Sequence, residues 1–464
     1  MLPNVSGASR WLGRVSIVIA VAATMTPVCV IARAVALYAR NFPWWDQWGA
    51  VPFMVEVTGG RIPVDALWVA INEHRIPVAL LLQGAVAWWT RWDVRGDAWT
   101  NVGLALGSLL MLVGLARRSL GSPATLVLSP LFAALVFSPI AGTSWTAAWT
   151  TPTFCATFFA TLTARLAAGA PSWPRLASMM VTAAMSALSF GSGMVLVLLL
   201  PAAWLAMPGT PARRRVAQAL VACAGGVALV WVYFVDWYPR PGVPPPVFHP
   251  DRAGAYLQYA LVYVGGAAGS REVLEARAWG GAMLATAALA GVALWWLTPA
   301  HRRALVPWML LLLYGFGAGG ITAYGRLDVG LPTALLPRYV PTAGLCVAGV
   351  AAVLALAVTT LHARSRLAAT ALAIVLAFAL GVSGLSFVDA ARAGLRDMAF
   401  ISRRIDKRAA CLRSCATATD ACLDGVCWDL AVARRFCPLL ERARIGPFRV
   451  PRAEPHVASD ARPG

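Results

Sequence analysis

Charge is scarce in this sequence, and negative charge scarcer still. Only 13% of the 464 residues are charged, Asp and Glu together number 20, and lysine occurs once, at Lys407. A water-soluble domain carries about 25% charged and ~45–50% apolar residues. Here the apolar share is 59% and the mean hydropathy +0.67, which excludes an ordinary soluble domain. Gly-rich phosphate loops, nucleotide fingerprints, heptads and repeat periods are missing, which argues against a cytoplasmic ATPase. No Cys-x-x-Cys pair occurs, so a zinc module has no foothold.

What the chain does have is long apolar runs from about residue 15 to 387. Eleven of them read as spans: 15–37, 98–115, 123–139, 152–169, 175–189, 192–207, 216–235, 279–297, 304–323, 338–360 and 367–387. The fold class predicted is an all-α polytopic membrane protein of about 11 spans, range ~10–13. The first run follows a basic segment and ends near Ala-Arg-Ala. A cleaved leader is the alternative there, but the run is long enough to span.

The gaps between runs are of two alternating kinds. One kind is basic without Asp or Glu: Arg10 and Arg14, Arg117 and Arg118, Arg175, Arg213 to Arg215, Arg302 and Arg303, Arg364 and Arg366. The other kind holds the carboxylates, including Asp46, Glu56, Asp65, Glu73, Asp236, Asp251 and Asp328. Arginine marks the cytoplasmic side. The expected topology therefore has a cytoplasmic N-terminus, an extracytoplasmic tail, and all acid–base chemistry outside. The net charge of +19 is spread over many loops, which argues against nucleic acid and suits anionic or phosphorylated lipid. Two more apolar segments, 77–92 and 253–269, would break the pattern if they crossed. They are expected to lie in the outer interface, with Trp88, Trp89, Trp92, Tyr256, Tyr259 and Tyr263 as belt aromatics.

The domain expectation is a membrane unit over 1–390, with large outer loops at 38–97 and 236–278, and a cysteine-rich tail over 391–464. Cys411, Cys415, Cys422, Cys427 and Cys437 crowd into that tail as disulfide candidates, and five is odd, so one is left over. The second large loop opens with a stiff Pro-rich stretch after Asp236.

Two constellations could carry chemistry. Trp44-Trp45-Asp46-Gln47-Trp48 follows the first run, and Asn72-Glu73-His74-Arg75 closes the same loop. Between them lie short amphipathic pieces at 51–58 and 64–71, broken by Gly59-Gly60 and Pro63, so the loop can fold back and join Asp46 to Glu73. A carboxylate on an aromatic wall can serve as base or metal ligand. Alternatively Asp46 caps the next helix and Glu73 pairs with Arg75. The second constellation is Tyr324-Gly325-Arg326-Leu327-Asp328 with Pro337-Arg338-Tyr339, two guanidiniums and a phenol suited to a phosphate. The alternative pairs Arg326 with Asp328 and lets Arg338 reach for the interface. Trp145 and Trp149 could stack on a sugar face or simply pack. The Ser189–Gly193 break could admit a lipid tail or be a tight turn.

The first span, the long outer loop with Asp46 near its start, the interfacial helices and the later spans resemble the GT-C superfamily of integral-membrane glycosyltransferases. Trp-Asp-Gln-Trp, Asn-Glu-His-Arg and Gly-Arg before Arg-Tyr look closer still to a group of uncharacterised bacterial multi-span proteins. What the superfamily resemblance implies is a sugar, or similar group, moved from a polyprenyl-phosphate donor to an extracytoplasmic acceptor with inversion, in the bacterial inner membrane. Asp46 would be base or metal ligand, Glu73 and His74 its support, and Arg75, Arg326, Arg338, Tyr339 and Trp145 would bind substrate. Many members double the acidic motif, and here Gln47 follows Asp46. A divalent cation held by Asp46 and Glu73 would be short of ligands unless His74 or a donor phosphate joined them, so metal-independent base catalysis by Asp46 is the simpler option. The readings from other classes are a lipid or small-molecule carrier and a non-catalytic envelope-assembly protein.

Overall fold

The computed structural model describes residues 5–449 apart from 72, 237–248, 416 and 428. Asn72, the Pro-rich stretch after Asp236 and the tail beyond Arg449 thus lie outside the described residues. Seventeen α-helices follow one another, with no strand among the described residues. In chain order they are α1 Val5–Tyr38, α2 Val51–Thr58, α3 Val64–Trp68, α4 Pro77–Thr90, α5 Arg95–Ser119 and α6 Ser122–Val136. Then come α7 Thr151–Ala167, α8 Trp173–Ala187, α9 Met194–Ala206, α10 Ala212–Phe234, α11 Ala253–Ala267 and α12 Val273–Leu297. The last five are α13 Arg302–Arg326, α14 Val340–His362, α15 Arg366–Arg413, α16 Asp420–Leu423 and α17 Leu430–Ala443.

Among the described residues seven helices are long and apolar enough to cross a bilayer, or eight if α6 and the turn Pro139–Trp145, bent by 44°, form one broken span. The chain is a membrane-embedded helical protein. Its outer surface agrees: Val127 and Leu289 are 76 and 75% exposed, a cost in water and none in hydrocarbon. The expected spans at 152–169, 175–189 and 192–207 are helices of 17, 15 and 13 residues. Each is shorter than the ~20 residues of a perpendicular crossing. Caps follow the sequence: Ser172 accepts from Arg175 N at 3.4 Å, and Asp429 from Ala431 N at 2.8 Å.

The two segments expected to stay on one side are helices α4 and α11. α11 begins with Arg252 bonded to Asp328 at 2.7 Å and ends with Gly266 against Leu335. Both partners belong to the stretch just after α13, so the two ends of α11 lie against the same connecting segment. The belt expectation is corrected for three aromatics. Trp88 and Trp89 are exposed, but Trp92, Tyr259 and Tyr263 are buried.

Two cores hold the molecule. The larger is the helix bundle around α13 and α14, where Gly315 and Gly349 let the backbones approach; a Cβ on Gly349 would sit 2.8 Å from Trp308 O. The smaller joins the first loop to the tail: Trp48, Val51, Phe53 and Met54 pack with Leu423, Val426, Leu440 and Ile445. The domain boundary expected at 390 falls inside α15, a continuous helix of 48 residues, because Arg and Asp replace apolar residues there without any proline to end the helix. In the tail Cys411 is bonded to Cys422 and Cys415 to Cys437. Cys427 belongs to neither disulfide and is buried.

A candidate functional site between the first loop and the bundle

The first loop folds back as its Gly59-Gly60 and Pro63 breaks allow. Gly60 takes φ 88°, a left-handed angle that glycine tolerates, and the chain turns from α2 toward α3 there. Asp46 sits in the 3₁₀ turn Trp45–Ala50, just before α2. That turn is anchored by Gln47, whose Oε1 accepts from Trp44 N at 3.0 Å. Glu73 and His74 follow Ile71, which exchanges backbone hydrogen bonds of 2.8 and 3.1 Å with His74. From the bundle, Arg326 closes α13, and Arg338 and Tyr339 lie in the turn before α14.

Asp46, Glu73, His74, Arg326, Arg338 and Tyr339 all line one cavity of about 420 Å³. Its size falls within the ~300–1,000 Å³ of ligand pockets. Glu73 does not pair with Arg75. Arg326 Nη2 instead donates to both its oxygens, at 3.0 and 3.1 Å. Asp328 takes Arg252, not Arg326. The guanidinium of Arg338 lies 6.0 Å from the Trp149 ring centre and 5.1 Å from that of Tyr339, and donates to Tyr339 Oη at 3.3 Å. Among the described residues no carboxylate pairs with Arg338. The His74 ring lies 4.2 Å from the Phe190 ring, and a Cβ on Gly191 would stand 2.7 Å from its Nδ1. Burial holds its pKa down at about 4, offset by Glu73 and reinforced by Arg326 and Arg338, so the imidazole is neutral near pH 7.

The far wall is apolar. Leu198, Phe234 and Ile321 line the cavity and are yet 63, 51 and 38% exposed, so this wall opens sideways onto the apolar surface of α9, α10 and α13. The cavity thus joins a charged end to an exposed apolar end.

Two expected site residues are corrected. Trp145 is fully buried between Phe137 and Phe154, with ring centres 5.6 and 4.8 Å away, and its Nε1 donates to Ser138 O at 2.9 Å. It is a core residue, and Trp149 is the tryptophan on the cavity wall. Arg75 is 2% exposed, with its guanidinium donating to Val235 O and lying 4.9 Å from the Trp68 ring centre; it does not line the cavity. Gln47, Gln83, Thr153 and Tyr233 do line it and were not expected. Gln83 had one legible signal, an amide in the middle of an apolar helix.

Trp45 holds φ 55°, uncommon for a bulky residue and costing about 1–3 kcal/mol. The tail supports it. Trp45 N donates to Val426 O at 3.0 Å, and Cys427 Sγ donates to Trp45 O at 3.9 Å. Among the described residues no group of three or more His, Cys, Asp or Glu is placed to hold a metal. Asp46 and Glu73 share the cavity, but Glu73 is engaged by Arg326, so the side chains present do not build a cation cage.

No protein-family model, curated protein or solved structure matches this chain.

Proposed function

We propose that this protein is a membrane glycosyltransferase. It moves a sugar or similar group from a polyprenyl-phosphate donor to an acceptor on the outer side of the bacterial inner membrane. The reading takes the eleven-span topology, with the N-terminus cytoplasmic and the tail outside. Its main support is the single cavity that joins Asp46, Glu73, Arg326 and Arg338 to an apolar sideways opening. A lipid phosphate needs both ends.

In this reading Arg338 and Arg326 hold the phosphate, as guanidiniums do at any accessible pH. The prenyl chain leaves past Leu198, Phe234 and Ile321 into hydrocarbon. Asp46 removes the proton from the acceptor hydroxyl as its oxygen bonds to the anomeric carbon. The bond from that carbon to the phosphate oxygen breaks on the opposite face, and the polyprenyl phosphate departs with the electron pair. No step runs through a metal.

A carrier would place a carboxylate at mid-depth of the bundle. Asp97, the least exposed carboxylate among the described residues, is in the first turn of α5, at the loop end. That favours surface chemistry.

The test is Asp46→Asn in purified protein given a polyprenyl-phosphate sugar and an acceptor. Turnover should fall by roughly 10²–10⁴-fold, the usual contribution of a general base, with expression and prenyl-phosphate binding kept. Wild-type turnover in this variant removes the mechanism.

A further inference from the structure

The tail is joined to the Asp46 turn by more than apolar packing. Both peptide groups of Trp45 are held from the tail, the N–H by Val426 O at 3.0 Å and the carbonyl by Cys427 Sγ at 3.9 Å. Trp45 is the residue with the left-handed φ of 55°, and Asp46 is its neighbour. Released from those bonds, a tryptophan reverts to the extended or helical basin and swings the next side chain away. Val426 and Cys427 in turn are fixed by the two disulfides, because their segment runs between Cys422, bonded to Cys411, and Cys437, bonded to Cys415. Arg404 and Arg408 reach Asp424 at 3.6 and 3.7 Å, and Gly425 turns the chain with φ 69°. The phosphate end is built differently. Arg326 and Arg338 stand on α13 and the turn before α14, and the Trp45 bonds reach neither.

We propose that Val426 and Cys427 are positioning residues, and that the disulfide-stapled tail holds Trp45 so that Asp46 faces the cavity. It rests on the transferase reading for what Asp46 does there, and on geometry alone for the clamp. One consequence is that the site assembles only in a compartment oxidising enough to close the two staples. Reduced chain would bind the lipid phosphate and fail to transfer.

The experiment removes one staple, Cys415→Ala with Cys437→Ala, in a Cys29→Ser, Cys223→Ser background. Four readouts are taken on full-length protein: farnesyl phosphate affinity, transfer rate, maleimide labelling of Cys427, and elution in size-exclusion chromatography. Expected are unchanged affinity and unchanged elution, labelling of Cys427 that the stapled protein resists, and kcat lower by on the order of 100-fold, the effect of about 1 Å of misplacement. Val426→Gly, which keeps both staples but loosens the held segment, should show the same split in weaker form. Loss of affinity together with rate would make the tail a general support and overturn positioning. Unchanged rate and a still protected Cys427 would overturn the clamp outright. If the stapled protein transfers nothing, the transferase reading falls, while labelling of Cys427 still decides whether the tail clamps this turn.

Discussion

Arg326 and Glu73 lie 253 positions apart in the chain, and the guanidinium donates to both carboxylate oxygens, at 3.0 and 3.1 Å. The pair ties the C-terminal end of α13 to the far end of the first loop. Both side chains are part-exposed to the cavity, 34 and 40%. Such a pair contributes under about 1 kcal/mol to stability. Its weight falls on what enters the cavity.

Arg326→Ala should therefore change the melting temperature little and weaken farnesyl phosphate binding by about 10–100-fold, the worth of a charge-assisted hydrogen bond. Arg326→Lys should recover only part of that, since a point charge lacks the paired donors. Glu73→Gln removes the competing carboxylate and should tighten the same ligand. Fluorescence titration of the three variants decides it. Equal weakening in all three would mean that the pair serves as a strut rather than a phosphate contact.

His74 makes stability depend on pH with a definite sign. Its pKa in the folded chain is about 4, against about 6.5 unfolded, because burial disfavours the imidazolium. Between those values the unfolded chain binds more protons, so stability rises with pH across that window and is flat above it. The loss on acidification is on the order of 2 kcal/mol, allowing for cavity water that reaches the ring. Melting curves from pH 4 to pH 8 should show this slope in the wild type and a shallower one in His74→Gln. Parallel slopes would place the ring in water.

The two tryptophans of the 140–151 loop should separate cleanly. Trp145→Ala opens a cavity in the core and should cost about 3–5 kcal/mol, read as a lower midpoint of unfolding. Trp149→Ala should cost much less, and instead remove the ring beneath Arg338 and weaken lipid phosphate binding. If Trp145→Ala is as stable as wild type, or if Trp149→Ala binds normally, the assignment of these two residues is reversed.

Much of the architecture was legible because a membrane imposes its rules locally. Apolar run lengths and the Gly59-Gly60 and Pro63 breaks each act within a few residues, and helices stand where those signals put them, seven or eight of the eleven expected spans among the described residues being long and apolar enough to cross. Asp46 and Glu73 could be singled out on the same ground, as carboxylates next to aromatics on a loop that must fold back. Side-chain partners were a different matter. Arg75 is beside Glu73 in the chain and Asp328 is beside Arg326, yet each neighbour lost to a partner delivered by packing. Trp145 and Trp149 are alike in composition and separated in role by one turn of backbone that puts Trp145 between two phenylalanine rings.

By itself, then, the order of residues determined that this chain is a set of apolar helices with many of its carboxylates in particular gaps between the apolar runs, because a helix satisfies its own backbone groups in hydrocarbon. Only the folded chain decided that the cysteine-bearing tail lies on the first loop and holds Trp45, and which arginine meets which acid. Those contacts join segments hundreds of residues apart, and their energy comes from shared burial that no local stretch of sequence contains.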